Sequence, residues 1–249
     1  MKILVPQKQV IDMGVVPAGG RYDFSTKSGL RIINPFCAIA LEEAVKLKEK
    51  GLATEIVVVT IGDGDCQKLM AKSLACGADR AILIETDADD LLLPLDIACM
   101  LQNLVAVENP DLILMGKQSV DFDNNQVGQM LSALLDWPLI NAASKLGLEN
   151  NLMTVEHEVD DGVQTHAFML PGIVTVDLHI NEPRSPGLAE VVKARSKPVS
   201  TYPCADFLPE HKKHIDVIDI YAPQRDVAIK MLGDIKDLAE VIKTHAYRQ

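Results

Sequence analysis

No two of the five cysteines, Cys37, Cys66, Cys76, Cys99 and Cys204, stand at a CxxC spacing, which removes a zinc knuckle or an iron–sulfur ligand set from consideration. They read as buried or half-buried thiols of a reducing compartment. No apolar run approaches the ~20 residues that a membrane-crossing helix needs, so a soluble chain without a membrane span is expected. The opening MKILVPQKQ has one short apolar run and reads as a first strand rather than a signal peptide. Positive charge is also short: the formal net charge is −11, which argues against a nucleic-acid partner. The basic stretches KARSK (Lys193–Lys197) and HKKH (His211–His214) are brief and lack interleaved aromatics, so they read as solvated faces. Catalytic signatures are wanting too: there is no Walker motif, GxGxxG, GxSxG or HExxH. Five of the six histidines fall in a later hairpin and an arm, and His179 between them, so an enzyme acting alone is not expected.

What is present is 48% apolar residues over 249, enough to fill one large α/β core. Lys2–Val5, Ile56–Ile61, Ala81–Ile84 and Leu112–Met115 are continuous apolar runs of strand length, as a parallel sheet covered on both faces requires. Helical patterns lie between them. Over Pro35–Lys50, residues Cys37, Ala40, Leu41, Ala44, Val45 and Leu47 share one face, Glu42 and Lys46 the other, with Asn34 as the expected N-cap. Further helices are predicted over Cys66–Cys76 (closed by Gly77), Asp96–Val107 and Asn125–Asp136. This alternation predicts a doubly wound, mostly parallel sheet, with a ligand crevice at the loops that follow Val5, Ile61, Ile84 and Met115.

Past residue 145 the pattern changes. Leu152–Val159 alternates, Asp160-Asp161-Gly162 turns, and Gln164–Leu170 returns as a β-hairpin, followed by a strand at Ile173–Leu178. From Asn181 to about Gln224 the chain is rich in proline and charge, and Ile229–Ala246 regains an amphipathic helical stripe. The expected organisation is an α/β domain over 1–180, which includes the 152–170 hairpin, and a C-terminal arm over 181–249 without a core of its own, packed either on the domain's own flank or on a partner subunit.

The stretch Gly116–Gln129 (GKQSVDFDNNQVGQ) follows a predicted strand and precedes a helix, where backbone N–H groups and the helix dipole gather an anion. Gly116 allows backbone to approach a ligand, Asn124, Asn125 and Gln126 offer neutral donors, and Gly128 clears space against the helix. A polar connecting loop with an Asx-rich cap is the plainer reading. Asp121 and Asp123 are also candidate Mg²⁺ ligands, and more ordinarily caps.

These residues, together with VIDMG (Val10–Gly14), NPFCAIALEEAVKLKEK (Asn34–Lys50), GADRAI (Gly77–Ile82), LDWP (Leu135–Pro138) and NEPR (Asn181–Arg184), give the chain a resemblance to the β subunit of electron transfer flavoprotein over nearly its whole length. The resemblance implies a heterodimer with an α subunit that carries the redox-active FAD, while the β subunit holds a structural AMP; the domain over 1–180 would then bind the nucleotide and the arm over 181–249 a partner. Its pocket would comprise Pro6, Asn34, Pro35, Phe36, Cys37, Ile61, Gly116, Lys117, Gln118, Ser119, Val120, Asp121, Phe122, Asp123, Asn124, Asn125, Gln126 and Val127. Phe36 and Met13 match positions near the partner's flavin, Met13 standing where an aromatic residue is frequent. Leu188 matches the anchor of a partner-recognition loop over about Pro183–Arg195, expected to be mobile, in which RSPGL replaces an RYATL-like sequence. His157 stands where Lys or Arg is usual.

The implied mechanism is a relay from a donor flavin dehydrogenase of the acyl-CoA dehydrogenase type, through the α-subunit FAD, to a quinone reductase or another acceptor. The bacterial cytoplasm, or the mitochondrial matrix of a eukaryote, is the expected compartment. Two alternatives stay open: an electron-bifurcating subunit with a second FAD in the β pocket, and a stand-alone ATP-binding or hydrolysing domain of the same superfold.

Overall fold

A computed structural model describes residues 1–12, 31–87, 92–208 and 231–246. Met13 and His211–His214 lie outside the described residues. In chain order the first half comprises β1 (Lys2–Gln7), β2 (Gln9–Ile11), β3 (Arg31–Ile33), α1 (Pro35–Glu49), β4 (Glu55–Gly62), α2 (Cys66–Cys76), β5 (Arg80–Glu85), α3 (Pro94–Glu108) and β6 (Leu112–Gly116). There follow α4 (Val127–Leu135), β7 (Leu139–Glu149), β8 (Leu152–Val159), β9 (Gly162–Met169), β10 (Gly172–Val176), α5 (Leu188–Ala194), β11 (Val199–Pro203) and α6 (Ile235–Ala246).

Nine of the described strands form one sheet in the order β11-β5-β4-β1-β6-β10-β7-β8-β9, parallel from β11 to β7 and antiparallel through β8 and β9. The fold is thus a doubly wound α/β sheet with an antiparallel hairpin. Alternation along β1 shows how both faces are covered. Ile3 and Val5 join a core with Ala40, Leu41, Ala44 and Leu47 of α1 and Met70 and Leu74 of α2. Leu4 points the other way, into a core with Ala98, Leu101 and Leu104 of α3 and Leu131 of α4. All of these side chains are at most 3% exposed.

From β1 the chain crosses to β4 and β5 on one side, and β6 lies on the other, so the strand order reverses at β1. In such sheets the ligand crevice opens outside the carboxyl ends of the strands at that reversal. At the opposite ends, Arg80 pairs with Glu55 and Glu108, and Lys2 with Glu108.

The structure departs from the sequence reading in several places. Glu42 is not on a solvent face: it is buried, because the segment after β10 runs over α1 and sets Arg184 against it. The eleven-residue strand β7 was not anticipated; its first residues, Leu139 to Ala143, pair with β10 and its later ones, from Ala143 to Glu149, with β8. The proline-rich stretch is not a bare arm as far as it is described. It carries α5, which packs on α2, and β11, which extends the sheet beyond β5, with Phe207 buried in the second core.

The chain divides into two units, Met1–Lys212 and Lys213–Gln249. The second contains α6, with Ile235, Leu238 and Ile242 exposed at helical spacing. No helix among the described residues is long and apolar enough to cross a membrane.

Candidate functional site

The carboxyl ends of β1, β4 and β6 meet the first turn of α1 and the 117–126 loop. Pro6 is buried near the end of β1, opposite Val59, and Ile61 lies two residues further along β4. β6 ends at Gly116, packed against α1 so closely that a Cβ there would stand 2.6 Å from the Phe36 Cβ and 2.8 Å from its carbonyl carbon. The glycine is therefore required by backbone meeting backbone, rather than by a ligand as the sequence suggested. Gly128 is similar: it is buried, and a Cβ would meet Thr175 of β10 at 3.0 Å, so its small size seats α4 on the sheet.

Asn34 organises this region. It occupies the N-cap position of α1, yet its side chain makes no cap hydrogen bond. Its Nδ2 instead donates to the Gln118 carbonyl at 2.8 Å and to Cys37 Sγ at 3.2 Å, and its Oδ1 accepts from the Val120 N–H at 3.3 Å. A buried amide thus spends one donor and its acceptor across the chain on the 117–126 loop and its other donor on Cys37, which leaves the α1 terminus to Pro35 at its first position. Cys37 is buried against this amide, and burial pushes its thiol up, out of reach of thiolate chemistry.

The loop is tied from two further sides. Lys8, just past β1, donates to Ser119 and Asp121 and lies 4.6 Å from the centre of the exposed Phe122 ring. Lys117 pairs with Asp177 after β10 at 2.6 Å, and its ammonium lies 5.8 Å from the Phe36 ring centre. Burial alone would push the Asp177 carboxyl up, but Lys117, the Leu178 N–H and His179 together hold it below the usual range. Asp123 accepts from Gln118 Nε2, so both loop aspartates already have partners rather than converging on a cation position. Across the crevice, Arg31 grips Asp63 with both nitrogens at 2.7 and 2.9 Å and lowers its carboxyl. The negative charge of Asp63 in the turn after β4 is thereby paired.

The helix α4 starts at Val127, two residues later than predicted, because Asp123 and Asn125 adopt left-handed backbone conformations that keep the loop out of helical register. Its N-terminus has no side-chain cap and no acidic residue in its first turn. The N–H groups of Val127, Gly128 and Gln129 therefore lack intrahelical acceptors by geometry. Asn124 and Gln126 are exposed beside them. In α4 itself the buried Gln129 Oε1 is without a partner, and at the end of β1, where Gln7 Oε1 accepts from Ser73 of α2, the buried Gln7 Nε2 is without one as well.

Of the predicted residues, Asn34, Phe36 and Cys37 are thus brought against Gly116, Lys117, Gln118 and Val120, while Pro6 and Ile61 lie near the carboxyl ends of the paired strands β1 and β4 and Asn124–Val127 lead into α4. Lys8, Arg31 and Asp177 were missed. Lys8 was discoverable, since it directly follows the strand whose end marks the crevice. Leu188 opens α5 and is 82% exposed, far along the chain from these groups. His157 lies on β8 beside His166 of β9, with ring centres 5.1 Å apart.

The family model of the electron transfer flavoprotein domain matches residues 24–207. The electron transfer flavoprotein subunit beta of Bradyrhizobium diazoefficiens is 41% identical, over 99% of both chains. The mitochondrial subunit beta of Arabidopsis thaliana is 40% identical over 99% of both chains, and the Homo sapiens subunit beta 39% identical over 98% of this chain and 97% of its own. Likeness of that order from end to end, on a sheet whose reversal point carries the Asn34 and Gly116–Val127 segments, means that the chain belongs to the electron transfer flavoprotein β-subunit family.

Proposed function

We propose that this chain is the β half of a heterodimeric electron carrier, that it holds AMP at the crevice between α1 and α4, and that it performs no bond-making catalysis of its own. One observation carries the reading: an uncapped helix N-terminus stands at the carboxyl edge of the sheet, and the neighbouring carboxylates Asp63, Asp121 and Asp123 are each tied to a partner. A phosphate there meets free N–H donors and the positive end of the α4 dipole, with the local negative charge already engaged.

The residues fit such a group. The Val127–Gln129 backbone would take the phosphate, and Asn124 and Gln126 add neutral donors. The Asn34, Lys8 and Lys117 ties keep the 117–126 loop in place without a ligand to order it, so binding incurs little conformational cost. Pro6, Ile61, Phe36 and Cys37 supply apolar surface. Phe36 is only 5% exposed, so its contribution near the partner's flavin would be to shape the floor of that region rather than to present an open face. Met13 belongs to the same proposal.

FAD on the α subunit would supply the redox chemistry when bound. The part of this chain is then to complete the dimer, to hold the nucleotide, and to present Leu188 to a donor flavin dehydrogenase of the acyl-CoA dehydrogenase type, with a quinone reductase or another acceptor downstream. Its place of work would be the matrix of a mitochondrion in a eukaryote, as the names of the plant relatives support, or the cytoplasm in a bacterium.

The test is cofactor stoichiometry. The chain co-expressed with its α partner is purified without added nucleotide and denatured, and released AMP and FAD are quantified per heterodimer. One of each is expected. Two FAD and no AMP would overturn the AMP assignment in favour of a second flavin in this crevice.

A further inference from the structure

The helix α5 is seven residues long, well below the length at which a helix is stable by itself, and it presents Leu188, Val191 and Val192 to solvent. Something outside the helix must hold it. Before it, Asn181 donates to the Ile39 carbonyl and to Glu43, both on α1, at 3.1 Å. Arg184 forks onto two carboxylates of the same helix: it reaches Glu42 through Nε at 2.8 Å and Nη2 at 2.9 Å, and Glu49 through Nη1 at 2.6 Å. The Arg184 N–H adds a third bond to Glu42. After α5, Lys197 donates to the carbonyls of Leu74 and Ala78, which caps the carboxyl end of α2.

Within this frame Glu42 is buried, and Arg184, helped by the charge of Lys46, offsets the desolvation that would otherwise raise its carboxyl. Such a fork is geometrically strict, because guanidinium and carboxylate meet in one plane through two bonds, which a lysine cannot reproduce. Only Ser185, Pro186 and Gly187 separate Arg184 from Leu188, and the proline further limits their freedom. The expectation of a mobile loop therefore gives way to a short helix pinned at both ends.

We propose that Arg184, assisted by Asn181 and Lys197, is a positioning residue for partner docking: by fixing the entrance to α5 on α1 and its exit on α2, it sets Leu188 in the orientation in which a donor dehydrogenase receives it. The inference rests on the reading of Leu188 as a docking anchor. A preformed anchor spares the encounter complex the cost of ordering the segment, so the clamp acts on association with the donor and not on the electron-transfer step within the bound complex.

The experiment uses the FAD- and AMP-loaded heterodimer as electron acceptor for a purified acyl-CoA dehydrogenase chosen because the wild-type heterodimer saturates it. Hydrogen exchange of the amides of residues 187–195 is followed in parallel. Arg184→Ala is expected to raise KM for the heterodimer about tenfold with kcat within twofold, and to speed exchange across α5. Arg184→Lys should restore only part of both. Glu49→Gln, which removes the outer and exposed arm of the fork, should give a two- to threefold rise in KM, and it carries the test if Arg184→Ala does not assemble. Leu188→Ala should raise KM and leave exchange unchanged. If Leu188→Ala leaves KM at the wild-type value, the docking reading falls. If it raises KM while the Arg184 and Glu49 variants speed exchange without moving KM, docking stands and the positioning role is overturned. Wild-type exchange in Arg184→Ala overturns it as well.

Discussion

Replacing Asn34 by alanine removes a buried side chain that fastens the 117–126 loop to α1. The amide is 1% exposed and makes two bonds to the loop, one at 2.8 Å and one at 3.3 Å. A net ~1 kcal/mol for the shorter bond and about half that for the longer follow from typical values. The small void left in a close-packed site adds about 1 kcal/mol, for a total of roughly 2–3 kcal/mol. For a unit of this size that corresponds to a fall in Tm of about 4–12 °C.

The effect on nucleotide should be separable from the effect on folding. If the freed loop must be ordered again on binding, AMP affinity falls by about tenfold, equivalent to ~1.4 kcal/mol. Calorimetric titration of AMP into nucleotide-stripped heterodimer reads the affinity, and thermal melting with and without saturating AMP reads the stability. Asn34→Asp keeps the acceptor for Val120 N–H but loses the donor to Gln118 and buries a charge, so it should be at least as damaging. An alanine variant that binds AMP within twofold of wild type and melts within 1 °C of it would refute the account of Asn34 as the organiser of the crevice.

Gly116→Ala places a Cβ 2.6 Å from Phe36 Cβ and 2.8 Å from backbone that cannot yield, so a loss of about 1–3 kcal/mol, visible in chemical denaturation, is expected together with weakened AMP retention. Gly77→Ala forces a residue with φ of 133° into strain and drives its Cβ to 2.7 Å from Val45, for a loss of similar size but with AMP affinity unchanged. Hydrogen bonds from Arg80, joined by Lys2, hold the Glu108 carboxyl at about 2 against an ordinary 4.5. Because the folded value is the lower one, this stabilisation is complete above about pH 4.5 and is lost as pH falls towards 2; solvent screening limits it to roughly 1–2 kcal/mol. Glu108→Gln should flatten the acid limb of the stability–pH curve measured by urea unfolding between pH 5 and 2.5.

Sequence pattern revealed most of the α/β frame because continuous apolar strands and capped helices are local properties. Ile56–Ile61 and Cys66–Cys76 with Gly77 are decided by their own residues and near neighbours, and both were predicted within a residue or so. β7 escaped because its eleven residues are only partly buried and its small and polar members, Asn141, Ala142, Ala143 and Ser144, carry no strand periodicity. Their pairing is specified by β10 and β8 rather than by their own side chains. β11 was hidden for the same reason: VSTYP is exposed throughout and becomes a strand only because β5 offers an open edge.

The site divides along the same line. Its composition was legible, since a glycine after a buried strand and a run of amides before a helix are local signals. The reasons for individual residues were not. Gly116 and Gly128 looked like openings for a ligand and turned out to be places where α1 and α4 touch the sheet, a distinction that depends on what lies opposite. Asn34 looked like a cap and bonds to residues 118 and 120 instead. Glu42 looked solvated and is paired to Arg184, 142 residues away. Apart from Gly128, each of these contacts involves α1, whose first turn borders the crevice while its later turns receive Asn181 and Arg184. One rigid helix therefore supports both the proposed nucleotide site and the proposed docking segment, so an error in seating α1, as Gly116→Ala would introduce, should disturb nucleotide retention and donor KM together, whereas Arg184→Ala should disturb the second alone.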